Sequence, residues 1–263
     1  MSLPSITSRD NDIIRRISKL SVSASYRRET GEYVCEGDKL LSEALSSGAR
    51  LSTVLFSEDC SALSKVPACA ALGAKMYVVP QKLIGSVSSL KTPQDVVFSC
   101  HIPSFAPTGN LPSGQGFIIL DRLSDPGNMG TIIRTADAFG IGGLFLSDGC
   151  VDPYNPKVVR SAMGSLFRAP LWQCPVSDAV SLLRAQGFRI YTTLLSENSA
   201  HLGKTDLSGN IAVAIGNEGT GVSPELSALS DGSLYIPMTG GAESLNAAVA
   251  AGLVMWEMKK GSL

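Results

Sequence analysis

The stretch FIILDRLSDPGNMGTIIRTADAFG, residues 117–140, holds the fold class in miniature. It opens on four apolar residues, Phe117 to Leu120, turns through Asp125, Pro126 and Gly127, and closes on a helical run with Ile132, Ile133, Ala136 and Phe139. A strand that is apolar throughout has no solvent face, which is the mark of a parallel strand buried on both sides. A strand running through a turn into a helix is the repeating unit of an α/β layer. One cation, Arg134, sits among the small and apolar neighbours of that helix.

The same alternation continues on both sides. Downstream come GLFL (143–146), NPKVVRSAMG (155–164), SDAVSLLRAQG (177–187), RIYTTLL (189–195), NIAVAIGNEG (210–219) and SLYIPM (233–238), then a long helix expected from about Ser244. Upstream, residues 8–26 space Ile13, Ile14, Ile17 and Leu20 as one amphipathic helix whose outer face carries Arg15, Arg16 and Lys19. Strand-like and helix-like runs follow it from EYVCEG (32–37) to DVVFSCHI (95–102). Between the two halves PSFAPTGNLPSGQG (103–116) is rich in Pro, Gly and Ser and reads as a linker. The expected organisation is a small α/β domain over 1–102, a linker over 103–115 and a parallel-sheet domain over 116–263.

Apolar residues make up 44% of the 263 and charged residues 17%, so the chain can bury a sizeable core. A net charge of −1 argues against a permanent nucleic-acid coat, so any nucleic acid is read as a transient substrate. Residues 1–30 are locally basic, with Arg9, Arg15, Arg16, Lys19, Arg27 and Arg28 against Asp10, Asp12 and Glu29. That face is either solvated or a phosphate contact. The six cysteines show no CxxC spacing and there are two histidines, so no metal site is expected and a reducing cytoplasm is. No run of about 18 apolar residues predicts a membrane span, and the first residues show no signal-peptide pattern.

In parallel sheets ligands bind beyond the carboxyl ends of the strands, so the loops there carry the candidate site. After FIIL, Gly127 and Gly130 bracket Asn128 at the start of a helix, where free backbone N–H groups favour an anion. The alternatives are a helix cap for Asn128 and an i,i+3 pair with Asp137 for Arg134. After IAVAI, Gly216, Gly219 and Gly221 surround Glu218 and imply a close backbone approach. After YIP, Gly240 and Gly241 precede Ser244 and Asn246, for which capping is the alternative. YNPKVVRSAMGSLFRAP (154–170) adds the cations Lys157, Arg160 and Arg168. No phosphate loop of the GxxxxGK[ST] type and no GxSxG elbow occurs.

Taken together and in this order, NMGTIIRTADAFG, AIGNEGTGVS and IPMTGGAESLNAAVA resemble the three signature motifs of the SpoU (TrmH-type) RNA ribose 2′-O-methyltransferases, a family of the SPOUT class. The resemblance covers roughly residues 115–260; residues 8–102 look, more loosely, like the substrate-binding domain of its ribosomal-RNA branch. It implies a parallel sheet threaded into a trefoil knot, S-adenosylmethionine as methyl donor, RNA as substrate with ribosomal RNA favoured, and a homodimer. Asn128, Arg134, Glu218, Ser244 and Asn246 match the family's catalytic positions. Gly216, Ile236 and Leu245 match positions that hold the methyl donor, and Thr193 and Leu194 are expected to wall its adenine pocket. Arg15, Arg16 and Lys19 are the candidate RNA contacts of the first domain.

A ribose 2′-hydroxyl needs in-line placement, stabilisation of its developing alkoxide and a proton acceptor. A guanidinium hardly loses a proton, so Arg134 is expected to grip the target phosphate and stabilise the oxyanion, with that phosphate or a water taking the proton. Glu218 is expected to fix Arg134 or Asn128, and Ser244 and Asn246 to orient the hydroxyl or the loop. The same chemistry on transfer RNA and a non-catalytic RNA-binding protein are the competing readings.

Overall fold

The computed structural model describes residues 3–103, 111, 116–194 and 198–262. The expected linker over 103–115 therefore lies almost wholly outside the described residues. In chain order the elements are α1 (Asp12–Val22), α2 (Ala24–Thr30), β1 (Glu32–Glu36), α3 (Asp38–Ser46), β2 (Leu51–Ser57), α4 (Val66–Ala71), β3 (Lys75–Val79), α5 (Gln81–Val87) and β4 (Val96–His101). Then come β5 (Phe117–Leu120), α6 (Pro126–Ala138), β6 (Gly143–Leu146), α7 (Pro156–Ala162), β7 (Leu171–Gln173), α8 (Val176–Ala185) and β8 (Arg189–Thr193). The chain closes with β9 (Ala200–His201), β10 (Ile211–Ile215), α9 (Pro224–Ala228), β11 (Gly232–Tyr235) and α10 (Ala247–Lys259). No helix among the described residues is long and apolar enough to cross a membrane.

The chain divides into two compact units, Met1–Ser104 with Asp152–Phe167, and Phe105–Val151 with Arg168–Leu263. In the first, four strands in the order β1-β4-β2-β3 form a mixed sheet, antiparallel except for β2 with β3. Its core packs Ile14, Ile17 and Leu20 of α1 against Leu55, Val97 and the α5 residues Leu83 and Ile84. The single helix expected over 8–26 is two. Ser23 is extended, and its hydroxyl accepts the Tyr26 N–H to cap α2.

Asp152–Phe167, inside the stretch read as the second domain, packs with the first unit. The Arg27 side chain, 3% exposed, donates from Nε to Asp152 Oδ2 at 2.8 Å and from a terminal nitrogen to the Leu20 carbonyl at 2.6 Å. Losing one partner of a buried pair of this kind costs about 3–5 kcal/mol. The Tyr33 and Tyr154 rings pack tilted by 41°, with centroids 4.8 Å apart. Gly164 takes φ +93°, and a Cβ there would stand 2.8 Å from that of Glu43.

The second unit is built on seven strands in the order β7-β6-β5-β10-β8-β11-β9, every pair parallel. β5, β6 and β10 are buried at every position, as their unbroken apolar runs require. On one face Phe117, Phe145, Trp172 and Phe188 form an aromatic cluster with α8 residues Val180 and Leu183. The chain leaves β5 toward β6 and β7 on one side and leaves β10 toward β11 on the other. The order therefore reverses between β5 and β10, and a crevice opens at such a point.

Helix α10 begins at Ala247 rather than at Ser244. Asn246 is its cap, accepting the Ala248 and Val249 N–H groups at 2.9 and 3.3 Å, so the residues before it stay non-helical. One face of α10 buries Ala247, Ala251, Val254 and Met255, whereas Val249, Leu253 and Trp256 are 52%, 40% and 47% exposed.

Candidate active site

The loops after β5 and β10 meet at the reversal point of the sheet. Asp125 caps α6, its Oδ1 accepting the Asn128 N–H at 2.8 Å. Asn128 is thus not the cap but a residue of the first turn, and its side chain is free for other work. Its Nδ2 donates to Glu218 Oε1 at 3.0 Å, and its Oδ1 accepts Asn246 Nδ2 at 2.9 Å. Glu218 also takes the Ser124 N–H and hydroxyl at 3.2 and 2.9 Å and the Asp125 N–H at 3.1 Å. Three loops far apart in sequence are joined in one polar chain, Glu218–Asn128–Asn246.

Glu218 stays solvent-exposed, but its charge is held firmly. Partial desolvation is the largest single influence on its carboxyl and pushes it up. Hydrogen bonds from Asn128, from its own N–H, from the Asp125 N–H and from Ser124 together outweigh it and hold the carboxyl down at about 2. Glu218 is therefore a fixed anion and not a proton acceptor near neutral pH. The amino end of α6, read as a place for a phosphate, is occupied by Asp125 and Glu218 themselves.

The Glu218 loop owes its shape to glycine. Asn217 and Gly221 exchange both backbone hydrogen bonds at 3.0 and 2.9 Å, closing a tight return that lifts Glu218 to its tip. A Cβ on Gly216 would lie 2.2 Å from the backbone of Gly221 and Val222. The close approach inferred for Gly216 is thus that of its own chain. Asn217, overlooked in the sequence, accepts the Gly219 and Thr220 N–H groups and donates to the Arg122 carbonyl at 2.8 Å. Ser124 was overlooked as well; a serine before Asp-Pro at a strand end was the one signal available.

A second depression, of about 190 Å3, lies beyond β8 and β11. Thr193, Leu194, Ile236, Ser244 and Leu245 line it together with Met238. Four of the five residues expected to hold a methyl donor are thereby brought together, and Gly216 is not among its walls. Leu194, Met238 and Leu245 are 40%, 40% and 36% exposed, an apolar lining suited to a flat heterocycle.

Arg134 stands apart. It is exposed, and among the described residues it makes no hydrogen bond or ion pair. Asp137, the partner in the alternative reading, is taken by Arg168 through contacts of 2.8 and 3.2 Å. Of the two roles considered for Glu218, the structure shows the contact to Asn128 and none to Arg134. In the first unit, Arg15 pairs with Asp10 at 2.8 Å, Arg16 with Glu32 at 2.5 Å, and Lys19 lies 4.1 Å from the Tyr26 ring centre. No group of three or more His, Cys, Asp or Glu side chains among the described residues is disposed to hold a metal ion.

Comparison with known proteins places these features. Residues 115–256 match the model of the SpoU rRNA methylase family, and residues 11–97 match that of the MRM3-like substrate-binding domain. The chain is 34% identical to the 23S rRNA (guanosine(2553)-2′-O)-methyltransferase RlmP of Bacillus subtilis, over 97% of this chain and 98% of that protein. It is 31% identical to the 23S rRNA (uridine(2479)-2′-O)-methyltransferase of Streptomyces viridochromogenes, over 96% and 90%. The AdoMet-bound crystal structure of an rRNA methyltransferase from Sinorhizobium meliloti superposes with a TM-score of 0.91 at 31% identity, covering 99% of both chains.

Proposed function

The chain belongs to the SpoU rRNA methylase family, and from that premise we propose that it transfers the methyl group of S-adenosylmethionine to a ribose 2′-hydroxyl of ribosomal RNA. The observation that carries this reading is the polar chain Glu218–Asn128–Asn246 beside the depression lined by Thr193, Leu194, Ile236 and Leu245. A protein that merely bound RNA would have no need of either. The match of residues 11–97 to a substrate-binding domain favours ribosomal over transfer RNA.

S-adenosylmethionine supplies a methyl carbon made electrophilic by its sulfonium. Leu194, Met238 and Leu245 present the apolar surface for its adenine, with backbone groups near Ile236 and Leu245 as polar contacts. The family's trefoil knot goes with this reading, supported by the convergence of the segments after β8 and β11 and before α10 on one depression. Asn128 and Asn246 fix the loop that meets the ribose, and Glu218 is a positioning residue that acts through Asn128. Ser244, at the rim, orients the hydroxyl. Arg134, the cation of the motif, has no partner among the described residues. It clamps the phosphate beside the target and stabilises the 2′-oxyanion, while that phosphate or a water takes the proton. In the first unit Arg15 and Lys19 contact RNA phosphates; Arg16 is committed to Glu32.

We include a homodimer in this reading. Val249, Leu253 and Trp256 form an exposed apolar stripe at helical spacing on α10. The Trp256 and Phe139 rings lie 6.0 Å apart, which sets the stripe beside the helix that carries Arg134. A partner seated there would bring its surface to Arg134. The six free cysteines fit a reducing cytoplasm.

The test uses purified protein, labelled S-adenosylmethionine, and ribosomal and transfer RNA from cells lacking the gene. The expected outcome is one stoichiometric 2′-O-methyl in ribosomal RNA. Methyl transfer to transfer RNA alone, or donor binding with no transfer to either RNA, would overturn the reading.

A further inference from the structure

A crevice of about 330 Å3 opens on the other flank of the loop that follows β5. Its walls are Asp121 and Arg122 after β5, Ser147 and Asp148 after β6, and Ser223 to Glu225 after β10, with Pro175 and Val176 as an apolar side. Its volume falls in the range of small-molecule sites, roughly 300–1,000 Å3. It shares the sheet's reversal point with the Glu218 network and is distinct from the donor depression beyond β8 and β11.

Arg122 is the unusual residue. It holds φ +55°, a conformation that costs any residue with a Cβ and that glycine would adopt freely. The backbone is held there by its N–H to Ser147 Oγ at 2.9 Å and by Asn217 Nδ2 on its carbonyl at 2.8 Å. Among the described residues the side chain gains no hydrogen bond in return, only an ion pair with Asp121. Nε lies 3.4 Å from Asp121 Oδ1, is buried, and lacks the geometry of a hydrogen bond. Asp121 is spent on the Ser223 N–H at 2.6 Å and on Ser147 Oγ at 3.2 Å. Asp148 and Glu225 are exposed, and no partner for either carboxylate occurs among the described residues. One guanidinium and two carboxylates thus face one crevice without pairing with each other.

This charge set selects the occupant. Three carboxylates against one guanidinium repel a phosphate. They suit a neutral, flat ligand with donors on one edge and acceptors on another. Guanine is the nucleobase of that description: N1–H and the 2-amino group donate to a carboxylate, and O6 and N7 accept a guanidinium. Uracil and cytosine lack the paired donors, and adenine lacks the acceptor at C6. Single-stranded RNA bases are read on these edges once unstacked. Resting on the methyltransfer reading above, we infer that the crevice receives the base of the nucleotide being methylated and reads it as guanine, with Arg122 on the O6/N7 edge and Asp148 and Glu225 on the N1–H/2-amino edge.

The experiment maps the nucleotide that the wild type methylates in ribosomal RNA and then measures kcat/KM on a fragment carrying guanosine or inosine there. Inosine keeps N1–H, O6 and N7 and lacks only the 2-amino group. The wild type is expected to methylate a guanosine and to lose about tenfold on inosine, whereas Asp148→Asn/Glu225→Gln falls about ten- to hundredfold on guanosine and no longer distinguishes the two. Arg122→Gly removes the strain with the guanidinium. It is expected to raise Tm slightly, leave donor affinity unchanged and cut kcat/KM about tenfold or more. A mapped adenosine, cytidine or uridine overturns the assignment while leaving ribose methylation standing, as does full activity in Arg122→Gly or retained guanosine preference in the double variant. Absence of any transfer to RNA by the wild type overturns the methyltransfer reading itself and this inference with it.

Discussion

Helices α1 and α6 both display arginine on an exposed face, and they dispose of it in opposite ways. On α1 each cation has an answer within the protein: Asp10 for Arg15, the buried Glu32 for Arg16, the Tyr26 ring for Lys19. On α6 the one acid within helical reach of Arg134 is drawn off by Arg168, and Arg134 has no partner among the described residues. A surface ion pair gains little by itself, so leaving one unmade costs little. What the bare guanidinium keeps is its full set of donors in a fixed fork, available to an anion that arrives from outside. The contrast separates cations that organise the protein from one that, in the proposed reading, is held for the substrate.

The strongest way to break that contrast is Arg134→Ala. With no hydrogen bond or ion pair to the side chain among the described residues, Tm and S-adenosylmethionine affinity are expected to stay within error while kcat falls at least about 10²–10³-fold. A large loss of Tm, or near-wild-type turnover, would place Arg134 with the structural cations.

Glu218→Gln probes the anchored side of the same site. Four donors converge on the carboxylate, and an amide turns its own N–H groups toward some of them. Turnover is expected to drop about ten- to hundredfold with a smaller loss of Tm. The pH dependence has a definite sign. Because the folded value, about 2, lies below the ordinary 4.5, the loop stabilisation from Glu218 is complete above 4.5 and is lost as pH falls toward 2. The rate profile of the wild type therefore carries no acid limb from Glu218 near neutrality. A limb between about pH 5 and 7 that vanishes in Glu218→Gln would contradict the fixed-anion role.

The smallest effects are expected on α1. Arg16→Ala leaves Glu32, 3% exposed at its side chain, without its main partner, and should cost on the order of 2 kcal/mol in denaturant unfolding. The salt slope of RNA binding should not change. Arg15→Ala and Lys19→Ala should each lower that slope by at most about one, with little loss of stability. A reduced slope in Arg16→Ala would show that the Glu32 pair opens to admit phosphate.

The contrast also marks what could be read from the chain alone. Both sheets were legible as strand-like runs, and the parallel one most clearly, because FIIL, GLFL and IAVAI have no polar face to offer solvent. The loops were legible because glycines bracketed Asn128 and Glu218. What was hidden depends on convergence. Ser124 and Asn217 look like ordinary turn residues until Ser124 meets Glu218 across 94 positions and Asn217 meets Arg122 across 95. The alternative pairing of Arg134 with Asp137 fits the local spacing, and an arginine 31 residues beyond the acid takes its place. The close backbone approach that the glycines imply is legible at Gly216, but that its own loop at Gly221 and Val222 makes that approach is not. The break at Ser23 and the late start of α10 at Ala247 turn on single side-chain caps, which compete weakly with helical periodicity in a one-dimensional reading.

Whether Arg134 clamps an anion or takes a proton is decided most directly by the pH profile of single-turnover methyl transfer in the wild type and Arg134→Lys. Lysine keeps the charge, loses the planar fork, and gives up its proton far more readily than a guanidinium. A clamp leaves Arg134→Lys poor at every pH, about 10²–10³-fold below the wild type with a parallel profile. A rate in Arg134→Lys that climbs toward wild type above neutral pH would contradict the clamp and make the residue at this position the base.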